Sequence, residues 1–128
     1  MLVKAIQKEP ENAEAHVVLG KVYEKLNKID EAILCFQTAI KVPTPNLSAH
    51  FNLGVQYEKK KMNKDAVQQF KQCLALDSQH FGAAIHLATQ LANMSEYAKA
   101  QKYFKHSLKL NPQSVPAHFG LAKILHQA

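Results

Sequence analysis

The chain has 128 residues, 47% of them hydrophobic, enough to bury one core and few for two independent domains. No stretch nears the ~18 consecutive apolar residues of a membrane span, and the opening Met1-Leu2-Val3-Lys4-Ala5 lacks the apolar run of a secretion signal, so a soluble cytoplasmic or other intracellular protein without a membrane partner is expected. The formal charge of +6 comes from sixteen lysines and no arginine, and lysine lacks the planar fork that grips phosphate and guanine in pairs, which argues against nucleic acid as the partner.

In chain order, Met1 to Glu9 reads as the latter part of a helix. Ala13 to Leu26 then reads as a complete one, with apolar or small residues three or four apart as on one helical face. Asn27-Lys28 makes a short polar bend, and Asp30 to Val42 forms a second helix that Pro43-Thr44-Pro45-Asn46 ends. The same events recur. Lys61-Met62-Asn63 and Asn93-Met94-Ser95 stand at the bend, where Asn63 and Ser95 are expected to cap the second helices. Asp77-Ser78-Gln79-His80 and Asn111-Pro112-Gln113-Ser114 stop one unit and cap the first helix of the next, and Val115 to Ala128 reads as one more first helix. The lysine run Lys59-Lys60-Lys61 falls at a helix end, where it complements the helix dipole and stays in water.

The repeat is a register and not merely a rhythm. Leu19-Gly20, Leu53-Gly54, Leu87-Ala88 and Leu121-Ala122 keep a spacing of 34 residues, and so do Tyr23, Tyr57, Leu91 and Leu125. In the second helices Ala32, Ala66 and Ala100 share a column, as do Phe36, Phe70 and Phe104, and then Ala39, Cys73 and Ser107. Small residues such as Gly20 allow two helices to approach closely, and the phenylalanines fill the space between hairpins. A single hairpin cannot bury its own apolar face, so the units must stack. Cys35 and Cys73 lie within these helical patterns and read as small buried hydrophobes in preference to a disulfide.

Nothing in the pattern spells chemistry. Two of the four glycines, Gly20 and Gly54, are committed to helix packing, which leaves no glycine-rich loop for a nucleotide. His16, His50 and His118 occupy one column of separate hairpins, one imidazole per unit, and read as packing residues instead of metal ligands. Neither cysteine has the sequence signature of a nucleophile with its base. No enzyme activity, cofactor or metal is expected. The sequons at Asn46 and Asn93 read as cap and bend residues.

This order of leucine, glycine, tyrosine, alanine, phenylalanine, alanine and proline at a period of 34 resembles the tetratricopeptide repeat family over nearly the whole chain. The proline column holds Pro10 and Pro112 but Thr44 and Ser78 between them, and the early aromatic is replaced by His16, His50, Ala84 and His118. Pentatricopeptide RNA-reading repeats fit the glycine, tyrosine and phenylalanine columns poorly. The resemblance implies an all-α fold, a right-handed superhelical solenoid of antiparallel helix hairpins. It is divided here into residues 1–12 (part of a preceding repeat), 13–46, 47–80, 81–114 and 115–128 (the first helix of a further or capping repeat).

The resemblance also implies a function, binding a peptide or helical segment of another protein in the concave groove lined by the first helices. Mapped onto this sequence, the groove takes Val17 and Lys21 from the first unit, Phe51, Asn52, Val55 and Lys59 from the second, Ile85, His86 and Thr89 from the third, and Phe119 and Lys123 from the last helix. The row Val17, Phe51, Val55, Ile85 and Phe119 would be an apolar floor edged with cations; alternatively, neighbouring repeats fill that floor themselves. The carboxylate clamp of the family's co-chaperones would fall on Val17, Lys21, Asn52, Gly82 and His86, of which only Asn52 agrees, and the asparagine ladder of the O-linked N-acetylglucosamine transferase reads Val18, Asn52, His86 and Gly120. Neither mode is present. The half-repeats at the two ends, with Leu121, Ile124 and Leu125 at core positions, raise the alternative of a structural or head-to-tail self-associating segment of a longer solenoid whose partner site lies elsewhere.

Overall fold

The computed structural model describes residues 13–41 and 46–127, which form seven α-helices and no strand. The expected tail of a preceding helix, residues 1–12, lies outside them. In order, the helices are α1 (Ala13–Lys25), α2 (Ile29–Ile40), α3 (Leu47–Lys59), α4 (Asn63–Leu76), α5 (Phe81–Asn93), α6 (Tyr97–Leu110) and α7 (Val115–Gln127). Three hairpins, α1–α2, α3–α4 and α5–α6, stack in sequence, and α7 packs on α6 and touches α5. The result is the right-handed solenoid of antiparallel hairpins, in which α1, α2 and α7 begin within one residue of the starts read from the pattern.

The helix starts divide into two kinds. Asn46, His80 and Ser114, again 34 apart, cap α3, α5 and α7 by accepting from the backbone N–H of Ala49 (2.9 Å), Ala83 (2.9 Å) and Ala117 (3.2 Å). The second helices use another device, and here the sequence expectation fails. Asn63 is already the first residue of α4, Ser95 lies in the bend before α6, and neither α4 nor α6 has a side-chain cap. Instead Asn27, Lys61 and Ser95 take left-handed φ values of 60–62°. That turn brings the N–H groups of Lys28, Met62 and Glu96 back to the carbonyls of Tyr23, Tyr57 and Leu91, each at 2.9 Å. This is a Schellman closure of the first helix, which satisfies its last carbonyls and aims the chain into the second. Left-handed backbone costs a non-glycine residue roughly 1–2 kcal/mol, so the closure persists against a local preference.

Packing follows the columns. A Cβ added at Gly20 would lie 2.6 Å from the Phe36 ring, and one at Gly54 would lie 2.7 Å from Phe70, so the missing side chain is what lets each hairpin close. Phe36, Phe70 and Phe104 are buried, as are Ala32, Ala66 and Ala100 and the column Ala39, Cys73 and Ser107. Both cysteines are free thiols. Burial raises the Cys35 pKa and pushes that of Cys73 up to about 12, so each stays a neutral core side chain; the Cys73 Sγ lies 3.8 Å from the Leu47 carbonyl.

Candidate protein-binding groove

The first helices α1, α3, α5 and α7 stand side by side, so equivalent positions form rows across the stack. Position by position, ten of the eleven residues expected to line the groove separate into two sets, and the eleventh, Lys59, is paired with Glu24. Val17 is buried within the core. Phe51 is half-buried in a cluster of rings, with centroids 5.8 Å from Phe70, 5.0 Å from His80 and 5.6 Å from His86. Ile85 and Val55 are also half-buried against the core. His86 stacks on Phe70 at 5.3 Å with 20° between the planes. The repeats therefore cover most of the apolar floor themselves.

The second set stays open. Lys21, Thr89 and Lys123 are exposed and share a row with Val55. The Thr89 hydroxyl donates to the Ile85 carbonyl of its own helix (2.9 Å). Asn52 Nδ2 donates to Ser48 Oγ (3.1 Å), one turn back. Phe119 is 64% exposed, with the Lys123 ammonium 5.7 Å from its ring centroid. Neither Lys21 nor Lys123 pairs with a carboxylate among the described residues. The open face thus carries Lys21 beside the exposed Val18 on α1, is polar at Asn52 and Thr89, and ends in an exposed aromatic and a lysine at α7.

Between successive first helices runs a polar lock that column-reading missed. Glu24 Oε2 accepts from Gln56 Nε2 (2.7 Å) and from Lys59 Nζ (3.1 Å). One unit later Glu58 Oε2 accepts from Gln90 Nε2 (2.7 Å) and meets His86 Nδ1 at 2.9 Å. Gln56 and Gln90 are buried. The signal was present in the sequence: Glu24 and Glu58 recur at 34, as do Gln56 and Gln90. What the sequence withheld was that the two columns touch, because each bond joins residues 32 apart in different units.

Elsewhere, His50 is hydrogen-bonded to Gln69 of its own hairpin (2.7 Å) and His118 to the Pro112 carbonyl (2.9 Å). Among the described residues no group of His, Cys, Asp and Glu is placed to hold a metal ion, and no helix is long and apolar enough to cross a membrane. On the second-helix side an open hollow of about 710 Å³ lies between α4 and α6, edged by Lys102, Lys105, His106 and Lys109.

The family model for the tetratricopeptide repeat matches residues 13–42, and a second model of the same repeat matches 47–80 and 83–114. The chain belongs to the tetratricopeptide repeat family. Solved tetratricopeptide structures superpose closely. MamA is 20% identical with a TM-score of 0.93, over 98% of this chain and 74% of that one. The first repeat domain of Spaghetti (RPAP3), bound to the HSP90 peptide SRMEEVD, is 23% identical with a TM-score of 0.85, over 90% and 91%. YrrB, a tetratricopeptide protein with an unusual peptide-binding site, is 21% identical with a TM-score of 0.87, over 98% and 65%. No curated protein matches the chain at the level of sequence. At these identities the likeness is one of fold.

Proposed function

We propose that this chain is a protein-interaction scaffold that holds an extended or helical segment of another protein along its first helices and performs no chemistry on it. The observation that carries this reading is the row Lys21, Val55, Thr89 and Lys123, which crosses α1, α3, α5 and α7 at one level, and whose two lysines have no carboxylate partner among the described residues. A side chain that packs within the stack needs no such row. Its cations favour an acidic segment, because charge complementarity steers encounter and fixes register. That Spaghetti's first repeat domain holds an HSP90 peptide on the same fold supports the reading. The residues at the clamp positions do not suit the same grip: Val17 is buried and His86 is engaged with Glu58, so the segment's side chains, and not its terminal carboxylate, would be recognised.

Selection of binders from a displayed random-peptide library on the 128-residue chain tests this. The expected consensus is acidic with apolar anchors, and Lys21→Glu/Lys123→Glu should weaken the selected peptides about tenfold or more while the circular dichroism melt is unchanged. Binders that ignore this change but are lost on Lys102→Glu/Lys109→Glu would move the site to the basic second-helix side.

A second reading, head-to-tail self-association through α7, is favoured by the exposure of Val115 (75%) and Leu125 (67%). It predicts a concentration-dependent mass in sedimentation equilibrium that Leu125→Glu abolishes; one mass at all concentrations for the parent chain removes it.

A further inference from the structure

The three interfaces between successive first helices are built on the same columns, and the third departs from the other two. Between α1 and α3 the columns hold Glu24, Gln56 and Asn52; between α3 and α5 they hold Glu58, Gln90 and His86. In both, the carboxylate and the buried amide are joined at 2.7 Å, and in the second His86 also lays its ring over Phe70. Between α5 and α7 the same columns read Ala92, Ile124 and Gly120. The carboxylate has become a methyl group, the amide an aliphatic side chain, and the ring is missing. Phe104, the equivalent of Phe70, leans into the place a Cβ would occupy at Gly120.

A cavity of about 300 Å³ results, opening between α5 and α7. Phe104, Ala92, Ile124 and Tyr97 line it, with the exposed Phe119 and Lys123 at its mouth. We propose that this cavity is the anchor site of the scaffold, taking one aromatic side chain of the partner segment while Lys123 holds a carboxylate of a neighbouring partner residue. The proposal rests on the protein-binding reading above and gives it a place and a residue type.

Two observations choose this occupant. The preceding interface shows what the fold puts over the equivalent phenylalanine: a planar ring, that of His86, stacked at 5.3 Å. An aromatic side chain from outside restores the missing ring against Phe104, Tyr97 and Phe119, and aromatic pairs gain from offset or edge packing beyond the area they bury. The charge is equally one-sided. At the mouth Lys123 has no carboxylate partner among the described residues, and Glu96, next to Tyr97, is paired with Lys99 (3.8 Å), so a carboxylate arriving beside Phe119 meets the Lys123 ammonium. In the preceding interface that negative charge is internal, supplied by Glu58.

The test uses the full chain, labelled with nitrogen-15, titrated with the capped tripeptide Ac-Asp-Phe-Asp-NH2, whose flanking acids serve either chain direction. Saturable amide shifts are expected at Thr89, Ala92, Gly120 and Lys123. Ac-Asp-Ala-Asp-NH2 should bind about tenfold more weakly for want of the ring, and Ac-Asn-Phe-Asn-NH2, or Lys123→Ala with the acidic probe, about threefold more weakly. Ala92→Met, a flexible side chain that fills the cavity from its wall, should remove the response; the surface variant Lys123→Ala keeps the test sound should that one fail to fold. Equal binding of the phenylalanine and alanine probes, or no saturable shift, overturns the proposal. Shifts confined to Lys21, Asn52 and Val55 also overturn the anchor but leave the scaffold reading standing, as would library-selected peptides indifferent to Ala92→Met. The scaffold reading falls separately, if neither these probes nor the selected peptides touch the first-helix face.

Discussion

Phe70→Ala is expected to cost about 3–5 kcal/mol of unfolding free energy, as a large core ring removed from a site that cannot collapse. Phe70 is fully buried, lies against Gly54 and is packed by the rings of Phe51 and His86. All of these belong to stiff helices, so the hole remains. Phe104→Ala, in the equivalent column, should cost distinctly less, toward the lower end of that range. One side of the Phe104 ring already borders a cavity, and fewer dispersion contacts are lost. Urea unfolding followed by circular dichroism gives both values. A Phe70→Ala cost below about 1.5 kcal/mol would show that the stack relaxes into the space. Equal costs at the two positions would show that the third interface is as well packed as the second.

That asymmetry between Phe70 and Phe104 marks where sequence reading reached its limit. The fold was legible because its constraint is periodic: leucine and glycine in the first helix, alanine and phenylalanine in the second, all in one register, fix which faces are buried and how hairpins stack. Helix ends were legible where a side chain makes them, at Asn46, His80 and Ser114. They were not legible where the backbone makes them. Asn27, Lys61 and Ser95 share a left-handed conformation and no chemistry, so no residue type announces the bend, and Asn63 and Ser95 looked like caps.

The groove was legible as a face and not as a set of contacts. Column-mapping treats units as interchangeable, so it placed Val17, Phe51, Val55, Ile85 and Phe119 together as one apolar floor. Their surroundings differ because their neighbours do: Val17 is buried in the core, Phe51 has three rings around it, and Phe119 has solvent. Burial in a solenoid depends on which residues of two different columns meet across an interface. Those meetings, such as Glu58 with Gln90, become visible only once the helices are placed.

The lock between Glu58 and Gln90 leads to the second large effect. Glu58→Ala alone should destabilise the chain by about 1–3 kcal/mol, because it leaves the buried Gln90 amide without its acceptor. The Oε1 of the same amide is already buried with no hydrogen-bond partner among the described residues, so the single change would strand the group at both ends. Glu58→Ala/Gln90→Ile copies the pair Ala92 and Ile124 that the next interface uses, and Ile124 is buried there. The double variant should recover most of the loss, since the buried amide stranded by the single change is gone and His86, which also loses Glu58, is 36% exposed and can turn to water. A double-mutant cycle by urea unfolding should therefore give a coupling of about 1 kcal/mol or more between the two positions. Additive costs would mean that the amide finds water or another partner once Glu58 is gone. Recovery would carry a second consequence. The stack does not need its polar locks for stability, and the apolar version between α5 and α7 is compatible with a stable solenoid. What distinguishes the two kinds of interface is then what they leave open: a closed seam where Glu58, His86 and Gln90 meet, and a cavity with an aromatic floor where Ala92, Gly120 and Ile124 replace them.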